Sequence, residues 1–278
     1  MEHLLIAGLL AKRVRVHLVG VGGNGAQMAA CLARLDVAMR ALGHPAGLHV
    51  SAFDNDSVSE SNVGRQMYSP SDVGQKKAVL TIQRLNLFYG LDWAGYPWSY
   101  TEDAFRAEDP DLVVSCVDTR STRRSLHKLI RPKANRARYW LDLGNTESSG
   151  QVVLGESPSA GVDRPASTRL PCVTELFPEL LDTSIPDDNA PSCSVRMSLA
   201  SQGLFVNDMA VRFAAQLLYE LFSTGRLADH GVVFNLASKR SAPIAIDPKV
   251  WARYGYVAPV DAAEPRKRQR TARTSVPA

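Results

Sequence analysis

Two hydrophobic periods alternate along the first half of the chain. Residues 14–19, Val-Arg-Val-His-Leu-Val, place apolar side chains loosely between basic ones and predict a short strand. A helical spacing follows over 26–42, then a second strand over 48–53 that ends at Asp54. Residues 73–89 have helical spacing again, with Val79, Ile82, Leu85 and Leu87 among the apolar positions. Residues 93–100 read as a third strand that Pro97 weakens. The unbroken apolar run 112–117 suits a parallel strand buried on both faces. Residues 121–130 are helical and 139–143 form another strand.

Strand and helix in alternation predict a parallel sheet with helices on both faces. From Gln151 the rhythm changes. Residues 152–154 begin an antiparallel extension, and 157–189, rich in Pro, Asp and Ser, read as a long, partly mobile crossover. A long helix over 195–222, interrupted by Gly203, is followed by a closing hairpin of 232–236 and 243–246. The pattern predicts an α/β fold: a Rossmann-like, doubly wound, mainly parallel sheet with an antiparallel C-terminal extension. One domain spans 1–253, with a nucleotide-binding half at about 12–145 and a crossover and C-terminal half at about 146–253. Residues 261–278 read as a disordered basic tail. No internal repeat is visible.

Of 278 residues, 45% are hydrophobic and 22% charged, an ordinary globular composition. The net charge of +4 is local, because Arg266, Lys267, Arg268, Arg270 and Arg273 crowd the tail. The folded body is therefore close to neutral and is not read as a nucleic-acid binder, and the tail is read as solvated. The apolar patch from Leu4 to Leu10 is too short to span a bilayer. It has no basic flank before it and runs into Lys12 and Arg13, so it does not read as a secretion signal. No Cys-x-x-Cys pair occurs among Cys31, Cys116, Cys172 and Cys193, so neither a disulfide framework nor a four-thiolate zinc site is suggested. A reducing cytoplasm is the expected location, with no membrane association.

The first strand ends in Gly20-Val21-Gly22-Gly23-Asn24-Gly25, a G-x-G-x-x-G turn between a strand and a helix. Such glycines permit a tight turn and let backbone N–H groups approach phosphate, with the helix N-terminus adding partial positive charge. By itself the motif is weak evidence, the alternative being a structural tight turn without ligand. Asp54 stands where a dinucleotide fold places a ribose-binding acid, and it is equally a turn-initiating or helix-capping acid. A phosphate-binding loop of the G-x-x-x-x-G-K-[ST] type is absent.

The stretch from Asp54 to Gln66, Asp-Asn-Asp-Ser-Val-Ser-Glu-Ser-Asn-Val-Gly-Arg-Gln, makes the reading specific. It resembles the D-x-D-x-V-x-x-S-N-x-x-R-Q signature of the ThiF/MoeB/ubiquitin-activating enzyme superfamily. Val73 to Ala78 resembles that superfamily's G-x-x-K-A element, which puts its lysine at Lys77. Asp118 to Arg123 resembles its D-N-x-x-x-R element, with Thr119 in the usual Asn position. The resemblance runs from about residue 14 to 222. It implies ATP and Mg²⁺ as cofactors: Gly20, Gly22, Gly23 and Gly25 beneath the phosphates, Asp54 on ribose with Asp56 beside it, Asn62, Arg65, Gln66 and Lys77 on the nucleotide, and Asp118 on the metal. Arg65, Lys77 and Asp118 would be catalytic.

That chemistry is coherent in itself. Adenylation is attack by a carboxylate oxygen on the α-phosphorus of ATP, with pyrophosphate leaving. Both reactants are anions, so catalysis consists largely of positioning and charge compensation. Arg65 presents a planar fork to phosphate oxygens, Lys77 a compact positive charge, and Asp118 a hard oxygen ligand for Mg²⁺.

Pro171 to Glu179 resembles the family's P-C-x-x-C-L-F-P segment, half of a zinc site in many bacterial members. Here Glu175 holds the second cysteine position, so no zinc is expected. Cys193, before the long helix, matches a cysteine that takes an acyl group or forms a persulfide-linked intermediate in ThiF-type members, where the helix dipole favours a thiolate. It is equally a small helix-start residue. Cys31 and Cys116 lie in apolar patterns and read as core.

The substrate implied is a small ubiquitin-like or sulfur-carrier protein ending in glycine, and the implied assembly is a homodimer to which the long helix contributes. Among its branches the chain is most similar to the ThiF family of the PRTRC plasmid-associated systems, which implies a neighbouring ubiquitin-like protein and a JAB-type peptidase. The superfamily's N-terminal Arg-Tyr-x-Arg-Gln segment has no counterpart here, and Arg13 and Arg15 lack its context. Three alternatives stay open: a nucleotide-binding scaffold without turnover, a tRNA-modifying adenylating relative, and an NAD-dependent oxidoreductase. The last explains the glycine turn and Asp54 but not Asn62, Arg65, Lys77 and Asp118 together.

Overall fold

The computed structural model describes residues 1–130, 137–158, 168–187 and 203–259. Cys193, the tail 261–278, the first part of the helix expected over 195–222 and much of the crossover lie outside these residues. The elements, in chain order, are β1 (His3–Leu4), β2 (Val14–Val19), α1 (Gly23–Ala41), β3 (Leu48–Phe53), α2 (Lys77–Tyr89), β4 (Ala94–Tyr96), α3 (Glu102–Glu108), β5 (Leu112–Ser115), α4 (Arg120–Ile130), β6 (Tyr139–Asn145) and β7 (Ser149–Glu156). They continue with α5 (Val173–Leu176), α6 (Val206–Thr224), β8 (Arg226–Leu227), β9 (Asp229–Asn235), β10 (Arg240–Ala245) and α7 (Pro248–Trp251).

One eight-stranded sheet runs in the order β10-β9-β7-β6-β5-β2-β3-β4. Strands β4, β3, β2, β5 and β6 are mutually parallel, and β7, β9 and β10 are added antiparallel. The expected doubly wound sheet with an antiparallel extension is what the chain forms. Helices α1, α2 and α6 pack side by side over one face. The other face carries α3 and α4: Ser51 donates to Glu108 of α3, and Arg123 of α4 reaches Asp142 of β6. The core between the layers is apolar, with Val14, Val16, Leu18, Val50, Val113, Val114 and Leu141 wholly buried in the central strands. Burial on both faces is why β5 reads as a near-continuous hydrophobic run, while β2 and β3 carry polar residues such as His17 and Ser51 that are buried with them.

Several boundaries move for local reasons. Helix α1 begins at Gly23, three residues before the apolar spacing shows it, because the end of the glycine turn is already helical. The helix expected from residue 73 begins at Lys77; a separate 3-10 turn, Pro70–Asp72, precedes it, with Ser69 and Asp72 satisfying each other's backbone N–H groups. Leu87 does not join the buried face of α2 and is 87% exposed, whereas Ile82 is buried. Strand β4 ends at Tyr96, where Pro97 withholds an N–H. The apolar run at 112–117 pairs only as far as Ser115, and Cys116 and Val117 lead into the turn. Helix α3 carries little apolar signal and is set by Thr101, whose hydroxyl accepts from the Ala104 N–H. Pairing of β1 with β8 lies outside the alternation that the pattern shows.

Candidate active site

From β2 the chain moves outward through β3 and β4, then returns to lay β5 on the other side of β2. This reversal makes a topological switch point at the carboxyl ends of the strands, the place where open α/β sheets bind ligands. Each sequence-selected element ends there: the glycine turn after β2, Asp54 after β3 and Asp118 after β5.

The glycine turn is sterically determined. Gly20 has φ +85°, a conformation that favours glycine, and a Cβ on it would lie 2.7 Å from the Cys116 carbonyl oxygen. A Cβ on Gly25 would be driven into the Gly20 carbonyl, and one on Gly23 into the Asn207 carboxamide. Gly22 differs: its nearest neighbour would be the Gln66 side chain at 3.9 Å. Gly20, Gly23 and Gly25 thus allow the backbone to pack, whereas Gly22 leaves open space over the start of α1. That 19-residue helix presents its unpaired N–H groups there.

Asp54 closes the turn from the side. Its carboxylate accepts from the Val21 N–H at 2.6 Å and the Asp56 N–H at 2.8 Å. Burial pushes its pKa upward, against the two backbone bonds and the charge of Lys77. Lys77, buried at the first position of α2, donates to Asp56 at 3.2 Å. Tyr68, which carried no sequence signal, donates its hydroxyl to the Val21 carbonyl at 2.6 Å and meets Thr81 at 3.2 Å.

Gln66 lies beside Gly22, and its buried Oε1 has no hydrogen-bond partner among the described residues. Burial lowers the pKa of the half-buried Arg65, and the negative charge of Asp118 opposes that shift. Arg65 therefore lies within electrostatic reach of Asp118. Asp118 itself is exposed. Asn62 has a local task, since its Oδ1 accepts from the Ser59 N–H and caps its own turn. The structure thus gathers Gly22, Asp54, Asp56, Gln66 and Lys77 around one turn and brings Arg65 under the influence of Asp118. Arg13 and Arg15 stand at the amino end of β2, at the far end of the strands from the glycine turn, near Asp92 and Asp111.

The turn carrying Asp118 is fixed from two sides. The Thr119 hydroxyl accepts from the Thr122 N–H at 3.3 Å and caps α4, the task of a short polar side chain at that position. Arg123 donates to Asp142 and to the Val117 carbonyl.

In the cysteine segment, the Glu175 carboxylate takes two bonds from Arg169 at 2.9 and 2.7 Å and one from the Cys172 N–H at 2.8 Å. Arg169 also donates to Tyr256 and the Glu156 carbonyl. Glu175 thus ties this segment together through an ion pair. Cys116 is half-buried and Cys31 is buried beside Arg212, and burial raises both thiols. Among the described residues no group of three or more His, Cys, Asp or Glu side chains is arranged to hold a metal, and no helix is long and apolar enough to cross a membrane.

The sequence profile of the ThiF family matches residues 9–242. The chain belongs to the ThiF family. It is 30% identical over 194 residues to ubiquitin-activating enzyme E1 1 of Candida albicans (strain WO-1), covering 62% of this chain and 18% of that protein. The crystal structure of E. coli MccB with ATP superposes with a TM-score of 0.54 at 14% identity, covering 90% of this chain and 66% of the other. That of PaaA superposes with a TM-score of 0.54 at 14% identity, covering 84% and 64%. These two likenesses show the fold. The chain spans less than a fifth of the ubiquitin-activating enzyme and about two thirds of the two solved proteins.

Proposed function

We propose that this ThiF-family protein uses ATP to adenylate the C-terminal carboxylate of a small ubiquitin-like or sulfur-carrier protein ending in glycine. The observation that carries the reading is the gathering of Asp54, Gln66 and Lys77 around the open backbone at Gly22, with Arg65 within electrostatic reach of Asp118. A glycine turn whose one open position faces a buried, unpartnered carboxamide oxygen fits a polar ligand laid over the N-terminus of α1. The exposed Asp118 carboxylate is a hard donor of the kind Mg²⁺ takes, usually one or two carboxylates together with phosphate oxygens.

In this reading the N–H groups of residues 22–25 and the α1 dipole receive the phosphates. Asp54 holds the turn and faces ribose, with Asp56 beside it. Asn62, Arg65, Gln66 and Lys77 line the nucleotide. Arg65 and Lys77 compensate charge on the α-phosphate as the carboxylate oxygen bonds to phosphorus, the bond to the β-phosphate oxygen breaks, and pyrophosphate leaves with the electron pair. Asp118 would hold Mg²⁺, which supplies charge neutralisation across the phosphates. Transfer of the acyl group to the Cys193 thiolate would release AMP. We further place the protein in the cytoplasm, as a homodimer formed with the help of α6, in the setting of the PRTRC plasmid-associated systems, with Glu175 and Arg169 replacing zinc.

The test is exchange of labelled pyrophosphate into ATP by the full chain with its candidate carboxylate partner. Partner-dependent exchange, lost in Arg65→Ala, supports the reading. Absence of exchange while calorimetry shows ATP bound overturns it in favour of a nucleotide-binding scaffold.

A further inference from the structure

Beneath the turn that carries Asp118 lies a buried polar chain that runs from Trp140 to Arg123. Ser115 and Asp142, paired across β5 and β6, are both 0% exposed. The Trp140 indole N–H donates to the Ser115 hydroxyl at 2.7 Å, and that hydroxyl donates to Asp142 Oδ1 at 2.5 Å. The Arg123 Nε donates to Asp142 at 3.2 Å. Its Nη2 donates to the Val117 carbonyl at 2.6 Å and reaches the Leu143 carbonyl at 3.4 Å. At Gly144 a Cβ would come within 3.1 Å of Nη2, so the strand leaves room for the guanidinium.

We infer that Arg123 is a positioning residue for Asp118. It clamps the carbonyl of Val117, the residue before Asp118, onto the carboxylate of β6. This rests on the reading above, in which Asp118 holds the metal. A buried ion pair is weak evidence of stability, because desolvation offsets its attraction. What this pair supplies is direction: the planar fork spans Asp142 and two carbonyls at once, which an ammonium cannot do. Thr119 fixes the far side of the same turn, so the Asp118 carboxylate is carried on a backbone with one path.

The test uses the full chain with an α,β-methylene analogue of ATP and Mn²⁺ in place of Mg²⁺. Free Mn²⁺ is measured by electron paramagnetic resonance, and analogue affinity in EDTA by calorimetry. Arg123→Lys and Ser115→Ala are expected to weaken Mn²⁺ binding to the protein–nucleotide complex by roughly tenfold, the usual effect of removing a group that orients a ligand. Analogue affinity in EDTA stays at the wild-type value, and Ser115→Thr, which keeps the hydroxyl, restores Mn²⁺ affinity. If Asp118→Asn loses Mn²⁺ affinity while Arg123→Lys and Ser115→Ala keep it, the role of Arg123 is overturned and the metal reading stands. If Asp118→Asn itself keeps wild-type Mn²⁺ affinity, both are overturned. Should Arg123→Lys fail to fold, Ser115→Ala, which removes one hydroxyl, decides alone.

Discussion

The Asp54 carboxylate, at the end of β3, accepts the Val21 N–H at 2.6 Å from inside the glycine turn after β2. The acid and the turn are therefore one structure, and the turn's shape depends on the acid. Asp54→Ala leaves two backbone N–H groups without their acceptor. It is expected to lower stability by about 1–3 kcal/mol, the cost of an unpaired buried donor, and to weaken ATP binding as well. Chemical denaturation alongside calorimetric titration checks both. Full stability with unchanged ATP affinity contradicts the role given to Asp54.

Two glycines of the same turn should respond in opposite ways. Gly25→Ala forces a methyl into the Gly20 carbonyl and is expected to give little folded protein. Gly22→Ala meets nothing closer than 3.9 Å and should melt as the wild type does, yet lose ATP affinity, because the methyl occupies the phosphate path. Melting curves and ATP titrations of the two variants read this directly, and an ATP-competent Gly22→Ala protein would move the phosphates elsewhere.

The Arg169–Glu175 pair is expected to make zinc unnecessary. Removing one partner, as in Arg169→Met, should destabilise by roughly 3 kcal/mol, because it strands a largely buried carboxylate. Prolonged dialysis against a strong chelator should leave the melting temperature unchanged. Stoichiometric zinc by atomic absorption, lost together with stability, would refute this.

Acid should weaken the fold through histidine. His230 accepts the Trp251 indole N–H at 2.8 Å, and an indole only donates, so the other ring nitrogen carries the proton toward the Leu154 carbonyl. Burial lowers its pKa from 6.5 to about 4. Between those values the unfolded chain binds a proton that the native ring refuses, so stability is fully present above about 6.5 and falls as pH drops toward 4. Burial holds His17 to about 4 as well, with Glu108 opposing. Imidazole resonances of both rings should stay in the neutral form at pH 5.5, and titration of either near 6.5 would disprove the assignment.

Legibility in the sequence followed physical scale. Strand β5 was readable because burial on both faces favours an unbroken apolar run at residues 112–115, and β2 and β3 because their apolar residues recur between polar ones. The glycine turn was readable because close backbone packing at Gly20 and Gly25 leaves no room for a Cβ, whereas Asp54, Asp56 and Asp118 stood out through the resemblance of their segments to the family's motifs. Short elements were not. Helix α3 depends on a Thr101 cap and one buried apolar side chain, Phe105, and β1 is two residues long. Tyr68, Ser115 and Asp142 were invisible because their partners lie 13 to 47 positions away, and only folding selects them from other polar residues. Arg123 lay within a recognised motif, yet its contacts to β6 carry no local signature.

The outer borders of the sheet limit how copies of this chain can associate. On one side β4 is only three residues long. On the other, β10 begins with Arg240 and contains Pro243, which has no amide hydrogen to offer. Neither flank provides a long run of main-chain donors onto which another molecule could extend the sheet. Among the described residues, these two flanks offer poor ground for pairing this sheet with a second copy.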